Sequence, residues 1–343
     1  MRQLIVVCTI AGLALAPSVA LAQQPAPVPP AEAAAAPPAA PPPAPAAPVQ
    51  TQLNLTLERV GGKLATVLVG DRIRIRGSVG AFVFGQKVRV RFFSAGKKMG
   101  AKAKTILPGP GGTGVFELSY RPQRSGSLVV RATHDATAEL ALVRTISRKI
   151  DVIPRSVGHR ARTRAIVALQ RRLSGLGYVT GEKGHFDDRT ARAVLAFRKV
   201  TGMARTTEAS INVMRRIAQG KGVFKIRRPD HGRHAEADLT RQVLALIDGG
   251  KVRRIYPISS GKPSTPTVLG SFRVYSKTPG TNAKGMVDSA YFIRGYATHG
   301  YPSVPIYPAS HGCLRLPIPD ARTVFNWMRI GTPVDVYYGP RPR

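Results

Sequence analysis

Cysteine is almost missing. The 343 residues contain two, Cys8 and Cys313. Cys8 lies in an apolar N-terminal run that reads as a removable signal, so the mature chain has no disulfide within itself and Cys313 is a thiol without a partner. Acidic residues are scarce, with 18 Asp and Glu against 52 Lys and Arg, a formal net charge of +34 and a pI near 11.4. Aromatics are few at 6 %, with one Trp, and no interleaving of aromatic and basic residues marks a nucleic-acid reader. An anionic wall polymer or membrane exterior suits the charge better, and a merely solvated Arg-rich surface suits it equally well. Beyond the N-terminus no apolar run is long enough to span a bilayer. Standard metal-ligand spacing is also lacking: His159, His185, Asp187 and Asp188 fit no common set.

What is present begins with Met1-Arg2-Gln3 and the apolar stretch Leu4 to Ala16, followed by the small-x-small site Ala20-Leu21-Ala22. Residues 1–22 read as an export signal, with a retained membrane tether as the alternative. The single Arg favours general secretion, and the expected location is the periplasm or cell wall. Residues 23–50 are nearly all Pro and Ala, a linker that favours extended polyproline II over a packed core.

The remainder is too long for one ordinary domain and divides by pattern. Residues 51–154 alternate with period two at Ile73-Arg74-Ile75-Arg76 and Val88-Arg89-Val90-Arg91, with strands also at 115–120, 127–133 and 147–152. Glycine turns punctuate them, which predicts a β-sandwich of roughly immunoglobulin type. His134 beside Asp135 reads as a turn pair. Residues 156–220 change to helical periodicity. Ile166, Leu169, Leu173 and Leu176 share one face before Gly177; Asp187 or Asp188 caps a second helix carrying Val194 and Phe197; a third spans 210–218 with Ile211, Met214 and Ile217. Three short helices around a small core of their own are expected. Residues 230–339 are mostly β, with an alternating run at 237–247, a hairpin signal at Asp248-Gly249-Gly250, strands at 271–276, 289–293 and 333–338, and one helix after Pro319.

Cys313 is the chemical focus. It sits in Ser310-His311-Gly312-Cys313-Leu314-Arg315, whose Ser310 comes eleven residues after His299 of a His299-Gly300 pair. A thiol needs ionising, and His299 and His311 are both candidates to take its proton or stabilise the thiolate. Amides around a Gly312-Cys313 turn can donate to an oxyanion, and Arg315 offers a fork for a carboxylate. Tyr291 and Tyr296 precede the His-Gly pair, although aromatics on strands more often belong to the core.

This His-Gly and Ser-His-Gly-Cys-x-Arg pattern resembles the L,D-transpeptidases of bacterial cell-wall synthesis. The likeness extends over about one hundred residues, through Gln242, Ser259-Ser260-Gly261-Lys262, Thr265-Pro266, Gly270-Ser271-Phe272 and Gly331-Thr332-Pro333-Val334. The resemblance implies Cys313 as nucleophile and His299 as general base, Ser310, His311 and Gly312 shaping the turn and oxyanion site, and Arg315 and Gly300 meeting substrate. The implied reaction forms a thioester with a peptidoglycan tetrapeptide stem, releases D-alanine and transfers the acyl group to a side-chain amine of another stem. Water in place of that amine makes a carboxypeptidase. No metal or organic cofactor is implied.

Residues 156–220 resemble the peptidoglycan-binding repeat of wall enzymes, through Leu169-Gln170, Leu173, Leu176-Gly177-Tyr178, Gly184-His185-Phe186-Asp187, Thr190, Ala193-Val194 and Phe197. Arg198 and Met203 depart from the usual Gln and Leu. Glycan strands and stem peptides are the implied partners. A papain-type hydrolase is the rival enzyme, but there the Cys precedes its His in the chain. A wall anchor without catalysis is the other rival, and it has no use for an activatable thiol.

Overall fold

The computed structural model describes residues 46–61, 65–161 and 163–340. The expected signal at 1–22 and the linker up to residue 45 lie outside the described residues.

Ten strands come first: β1 Leu53–Glu58, β2 Thr66–Leu68, β3 Ile73–Val79, β4 Lys87–Ser94, β5 Lys97–Thr105, β6 Leu107–Pro108, β7 Gly114–Tyr120, β8 Gly126–His134, β9 Val143–Ile146 and β10 Ile150–Ile153. They form two sheets, ordered β1-β3-β7-β6 and β2-β10-β8-β4-β5, with β9 also paired to β8. Period two explains the packing. Ile73, Ile75, Val88, Val90 and Phe92 enter one apolar core between the sheets, while Arg74 and Arg76 turn outward to Glu58 and Glu117 on the neighbouring strands. Two expectations are corrected here. The run at 147–152 splits, since β9 ends at Ile146 and β10 starts at Ile150. His134 is not an exposed turn residue but the buried end of β8, its Nε2 2.5 Å from Gln86 Oε1.

Three helices follow, α1 Thr163–Gly175, α2 Asp188–Val200 and α3 Ile211–Ala218. Gly177, at φ +93°, turns the chain after α1, as a glycine beyond a helix end does readily. Asp187 caps α2, its Oδ1 accepting from the Thr190 amide at 2.8 Å. Buried Gln170 ties the loop between these helices: its Nε2 donates to the Glu182 and His185 carbonyls and its Oε1 accepts from the Gly184 amide. The helices do not close a core of their own. Leu169, Leu173, Val194, Phe197, Val213 and Met214 belong to one cluster with Val243, Ala245, Ile247 and Ile255 downstream and with Leu68 and Ile153 upstream. A three-helix unit this small has too little interior to bury its apolar faces alone, so it borrows those of its neighbours.

The last region contains β11 His234–Asp238, β12 Val243–Asp248, β13 Lys251–Pro257, β14 Gly270–Arg273, β15 Ser276–Thr281, β16 Val287–Ile293, β17 Tyr296–Tyr301, β18 Leu314–Pro317, α4 Ile318–Trp327 and β19 Pro333–Tyr337. One sheet runs β13-β12-β11-β19-β14 and the other β15-β16-β17-β18. The run expected at 237–247 is two antiparallel strands with Gln242 at φ +56° before the second. Gly249 and Gly250, at φ +57° and +68°, make the two-residue β12–β13 turn that needs positive φ twice. Strand β12 is buried on both faces. Val243, Ala245 and Ile247 face the helices, whereas Leu244 and Leu246 join a separate core with Ala235, Leu314, Val324 and Val336.

Ion pairs strengthen these seams. Asp151 of β10 receives Arg171 and Arg172 of α1, and buried Asp320 of α4 receives Arg189 and Arg192 of α2, at 2.6 and 3.6 Å.

Candidate active site

Strands β17 and β18 run parallel, with Thr298 opposite Leu314, His299 opposite Arg315 and Gly300 opposite Leu316. Side chains two residues apart on a strand share a face. His299 and Tyr301 therefore lie on the same face as Arg315 and Cys313, the residue just before β18. The other face is apolar support: Leu314 and Leu316 enter the core, and Thr298 Oγ1 donates to the Met328 thioether Sδ at 3.3 Å.

Gly300, expected to meet substrate, is packed tightly on its α-carbon side. A Cβ on it would stand 2.7 Å from Ala321 Cβ and 3.2 Å from Ile318 Cα, so its lack of a side chain lets α4 lie close against β17. Its carbonyl accepts from His299 Nδ1 at 2.9 Å, which leaves Nε2 of a neutral imidazole free to take a proton.

His299 is 3 % exposed. Burial lowers its pKa below the ordinary 6.5, and the Arg315 charge adds to the effect. Its ring meets Tyr301 edge-on, centroids 5.7 Å apart, and the Arg315 guanidinium lies over the same Tyr301 ring at 4.2 Å. Tyr301 thus fixes both the base candidate and the carboxylate-binding candidate. Cys313 is half-buried, with Sγ 3.6 Å from the Gly295 carbonyl. Burial pushes the thiol pKa up, against the pull of the Ala297 amide and the Arg315 and Lys284 charges. Both shifts disfavour a resting thiolate–imidazolium pair.

The turn before Cys313 is held by hydroxyls. Ser310 Oγ donates to the Cys313 carbonyl at 2.6 Å and accepts from the Gly312 amide at 3.0 Å. Gly312 adopts φ +118°, and a Cβ there would run into the Tyr296 ring. Buried Thr267, absent from the sequence-based candidates, bridges two loops. Its hydroxyl donates to the Gly312 carbonyl at 2.7 Å and accepts from the Gly261 amide at 2.9 Å. Ser260 O accepts from the Ala309 and Ser310 amides, both at 2.9 Å. Ser260 is in turn held by Gln242, through Ser260 N to Oε1 at 2.9 Å and Nε2 to Ser260 Oγ at 2.7 Å. Arg315 and Ser259 exchange both backbone hydrogen bonds. His311 is exposed, its Nε2 3.3 Å from Lys262 Nζ.

Among the described residues no group of three or more His, Cys, Asp and Glu is gathered as a metal site. His159 packs on Phe186, His185 faces Glu182, and Asp187 is occupied as a cap.

Comparison with known proteins bears on this geometry. Residues 232–336 match the L,D-transpeptidase catalytic domain, and residues 162–217 match a putative peptidoglycan binding domain. The chain is similar to L,D-transpeptidase 1 of Mycobacterium tuberculosis, 28 % identical over 121 residues, which are 29 % of this chain and 48 % of that protein. The match thus spans about half the length of this curated relative. Among solved structures it is similar to an L,D-transpeptidase from Xylanimonas cellulosilytica, at 33 % identity over 50 % of this chain and 92 % of that one, with a TM-score of 0.46. It is also similar to the catalytic domain of an E. faecium L,D-transpeptidase, at 29 % identity over 31 % of this chain and 98 % of that one, with a TM-score of 0.28.

Proposed function

We propose, from the premise that the chain belongs to the L,D-transpeptidase family through its catalytic domain at residues 232–336, that it is an exported cysteine acyltransferase that cross-links peptidoglycan stems. The observation that carries this reading is the β17–β18 register, which sets Cys313, His299, Tyr301 and Arg315 on one face.

Cys313 Sγ attacks the carbonyl of the third stem residue. The S–C bond forms as the thiol proton passes to His299 Nε2, and collapse of the tetrahedral intermediate breaks the C–N bond to the terminal D-alanine, whose amine takes that proton. A second stem's side-chain amine then attacks the thioester, gives a proton to His299, and expels the thiolate, which is reprotonated. Because the resting pair is neutral, proton transfer accompanies attack. The Gly312 amide is committed to Ser310 Oγ, so the oxyanion donor at this turn is the neighbouring Cys313 amide. Arg315, held over the Tyr301 ring, receives a substrate carboxylate.

Glycan strands and stem peptides are the partners of residues 156–220, and the surplus of basic residues favours an anionic wall or membrane exterior. Extracytoplasmic placement follows from that substrate. No helix among the described residues is long and apolar enough to cross a membrane.

The test is intact-mass spectrometry of wild type and Cys313→Ala after incubation with tetrapeptide stems, with and without an acceptor stem. Stem dimers with loss of D-alanine, made by wild type alone, support the reading. Trimming without dimers moves it to a carboxypeptidase, and wall binding with neither product makes it an anchoring protein.

A further inference from the structure

The seam between α2 and the catalytic region buries a cation. Lys199, near the end of α2, is 3 % exposed, and its Nζ donates to the Gln242 and Ile258 carbonyls, each at 3.1 Å. Burial brings the Lys199 pKa down to about 7, and the charge of a second cation, Arg205, adds to that shift. An ammonium held by neutral carbonyls alone is costly to bury, which makes it a poor choice for joining two domains. The seam already has a better joint in Asp320 with Arg189 and Arg192.

The two carbonyls show what Lys199 reaches. Gln242, in left-handed backbone at φ +56°, grips Ser260 through its side-chain amide. Ile258 is two residues before Ser260, and its own amide donates to Gln242 O at 3.0 Å. Ser260 O then holds the Ala309 and Ser310 amides, and Ser310 Oγ holds the Gly312 amide and the Cys313 carbonyl. From Nζ to Cys313 the path is continuous hydrogen bonding through backbone and three side chains. Arg205 braces the same loops from beside it, with Nη2 donating to Thr240 O at 2.9 Å and Nη1 to Ile306 O at 2.7 Å. Thr240 is two residues before Gln242, and Ile306 is on the run leading to Ser310.

We propose that Lys199, supported by Arg205, is a positioning residue for Cys313, so that the peptidoglycan-binding helices are a structural part of the catalytic site. The inference rests on Cys313 being the nucleophile. The Asp320 ion pairs hold the same seam without entering the Gln242–Ser260–Ser310 path, which supplies the control.

Purified full-length wild type, Lys199→Met, Arg205→Gln and Asp320→Asn are compared by melting temperature, by kcat and KM for stem dimer formation, and by the rate of Cys313 alkylation with iodoacetamide. Lys199→Met is expected to lower kcat about tenfold or more with KM within about twofold, since small displacements of a reacting group carry such losses, and to change the alkylation rate about threefold. Arg205→Gln shifts both in the same direction by about threefold. Asp320→Asn lowers the melting temperature but keeps kcat and alkylation within about twofold of wild type. Equal effects of Lys199→Met and Asp320→Asn on kcat and alkylation, or no effect of Lys199→Met on either, overturn the proposal. If Lys199→Met does not fold, Arg205→Gln against Asp320→Asn decides by the same criteria. If wild type makes no stem product, the transpeptidase reading fails separately, and the alkylation rates still decide whether Lys199 positions the thiol.

Discussion

Gly312 lies so close to the Tyr296 ring that a β-carbon on it would stand 2.1 Å from Tyr296 Cε1. The backbone at φ +118° reinforces the demand for glycine, because that region is strained for any L side chain. Gly312→Ala is expected to cost about 2 kcal/mol or more from backbone strain and overpacking together, and to slow thioester formation about a hundredfold through displacement of Cys313. Adding Tyr296→Ala relieves the overlap but not the strain, so the double variant recovers part of the stability. Urea denaturation and acyl-enzyme mass measurements check both. Wild-type stability in Gly312→Ala would mean that the turn is looser than described.

The thiol and the imidazole are each pushed toward neutrality, Cys313 above its ordinary 9.0 and His299 below its ordinary 6.5. The alkylation rate at Cys313 should therefore climb through pH 9 with no plateau at neutral pH. The acid limb of kcat/KM should fall below pH 6.5, because in the proposed reaction only a neutral His299 can take the proton. His299→Gln removes that limb and lowers kcat by about 10²–10⁴-fold. Fast, pH-independent alkylation from pH 5 upward would reveal a resting ion pair and sink this account.

Much of this fold was legible because burial on one face leaves a period in the sequence. Ile73 and Ile75 alternate with outward arginines, Leu169 and Leu173 mark one helix face, and Gly249-Gly250 marks a hairpin. Strand β5 was illegible: its Lys97–Thr105 sequence is exposed on both faces at a sheet edge, so no apolar alternation exists. The break between β11 and β12 was hidden for the opposite reason: β12 is buried on both faces, so the apolar positions at 237–247 read as one run across the turn at Gln242. At the site, Cys313 could be read from its rarity, but His299 and His311 were equal candidates from the residues alone. The β17–β18 register sets His299 beside Arg315, while His311 is exposed next to Lys262, and the proposed choice of His299 as base rests on that difference. Thr267 and Lys199 act through backbone atoms distant in sequence, and such bonds leave no pattern of residue types.

Thr267 gives a direct test of that hidden support. Removing its hydroxyl while preserving its shape, as in Thr267→Val, leaves the Gly261 amide and the Gly312 carbonyl without their shared partner. The expected loss is about 1–3 kcal/mol, the usual range for an unsatisfied buried polar group, together with slower thioester formation at Cys313. Thr267→Ser keeps the hydroxyl and should stay near wild type. If Val and Ser behave alike in chemical denaturation and in acylation rate, the bridge has no energetic weight.

Lys199 carries a pH signature of its own. In the unfolded chain it is an ordinary lysine near 10.5, whereas in the folded protein it titrates at about 7. Between those values the unfolded chain binds more protons, so this group's contribution to stability rises as pH increases from 7 toward 10.5 and falls to its full deficit below 7. Methionine carries no such deficit at any pH. The melting temperature of Lys199→Met relative to wild type should therefore be more favourable at pH 6.5 than at pH 9.5, with the titrations common to both proteins cancelling in the difference. A difference unchanged across this range would show that the ammonium keeps its water in the folded protein. The expected slope, found together with a lower kcat for the same variant, would separate positioning from stabilisation: the charge would be working against the fold at neutral pH while holding the loops around Cys313.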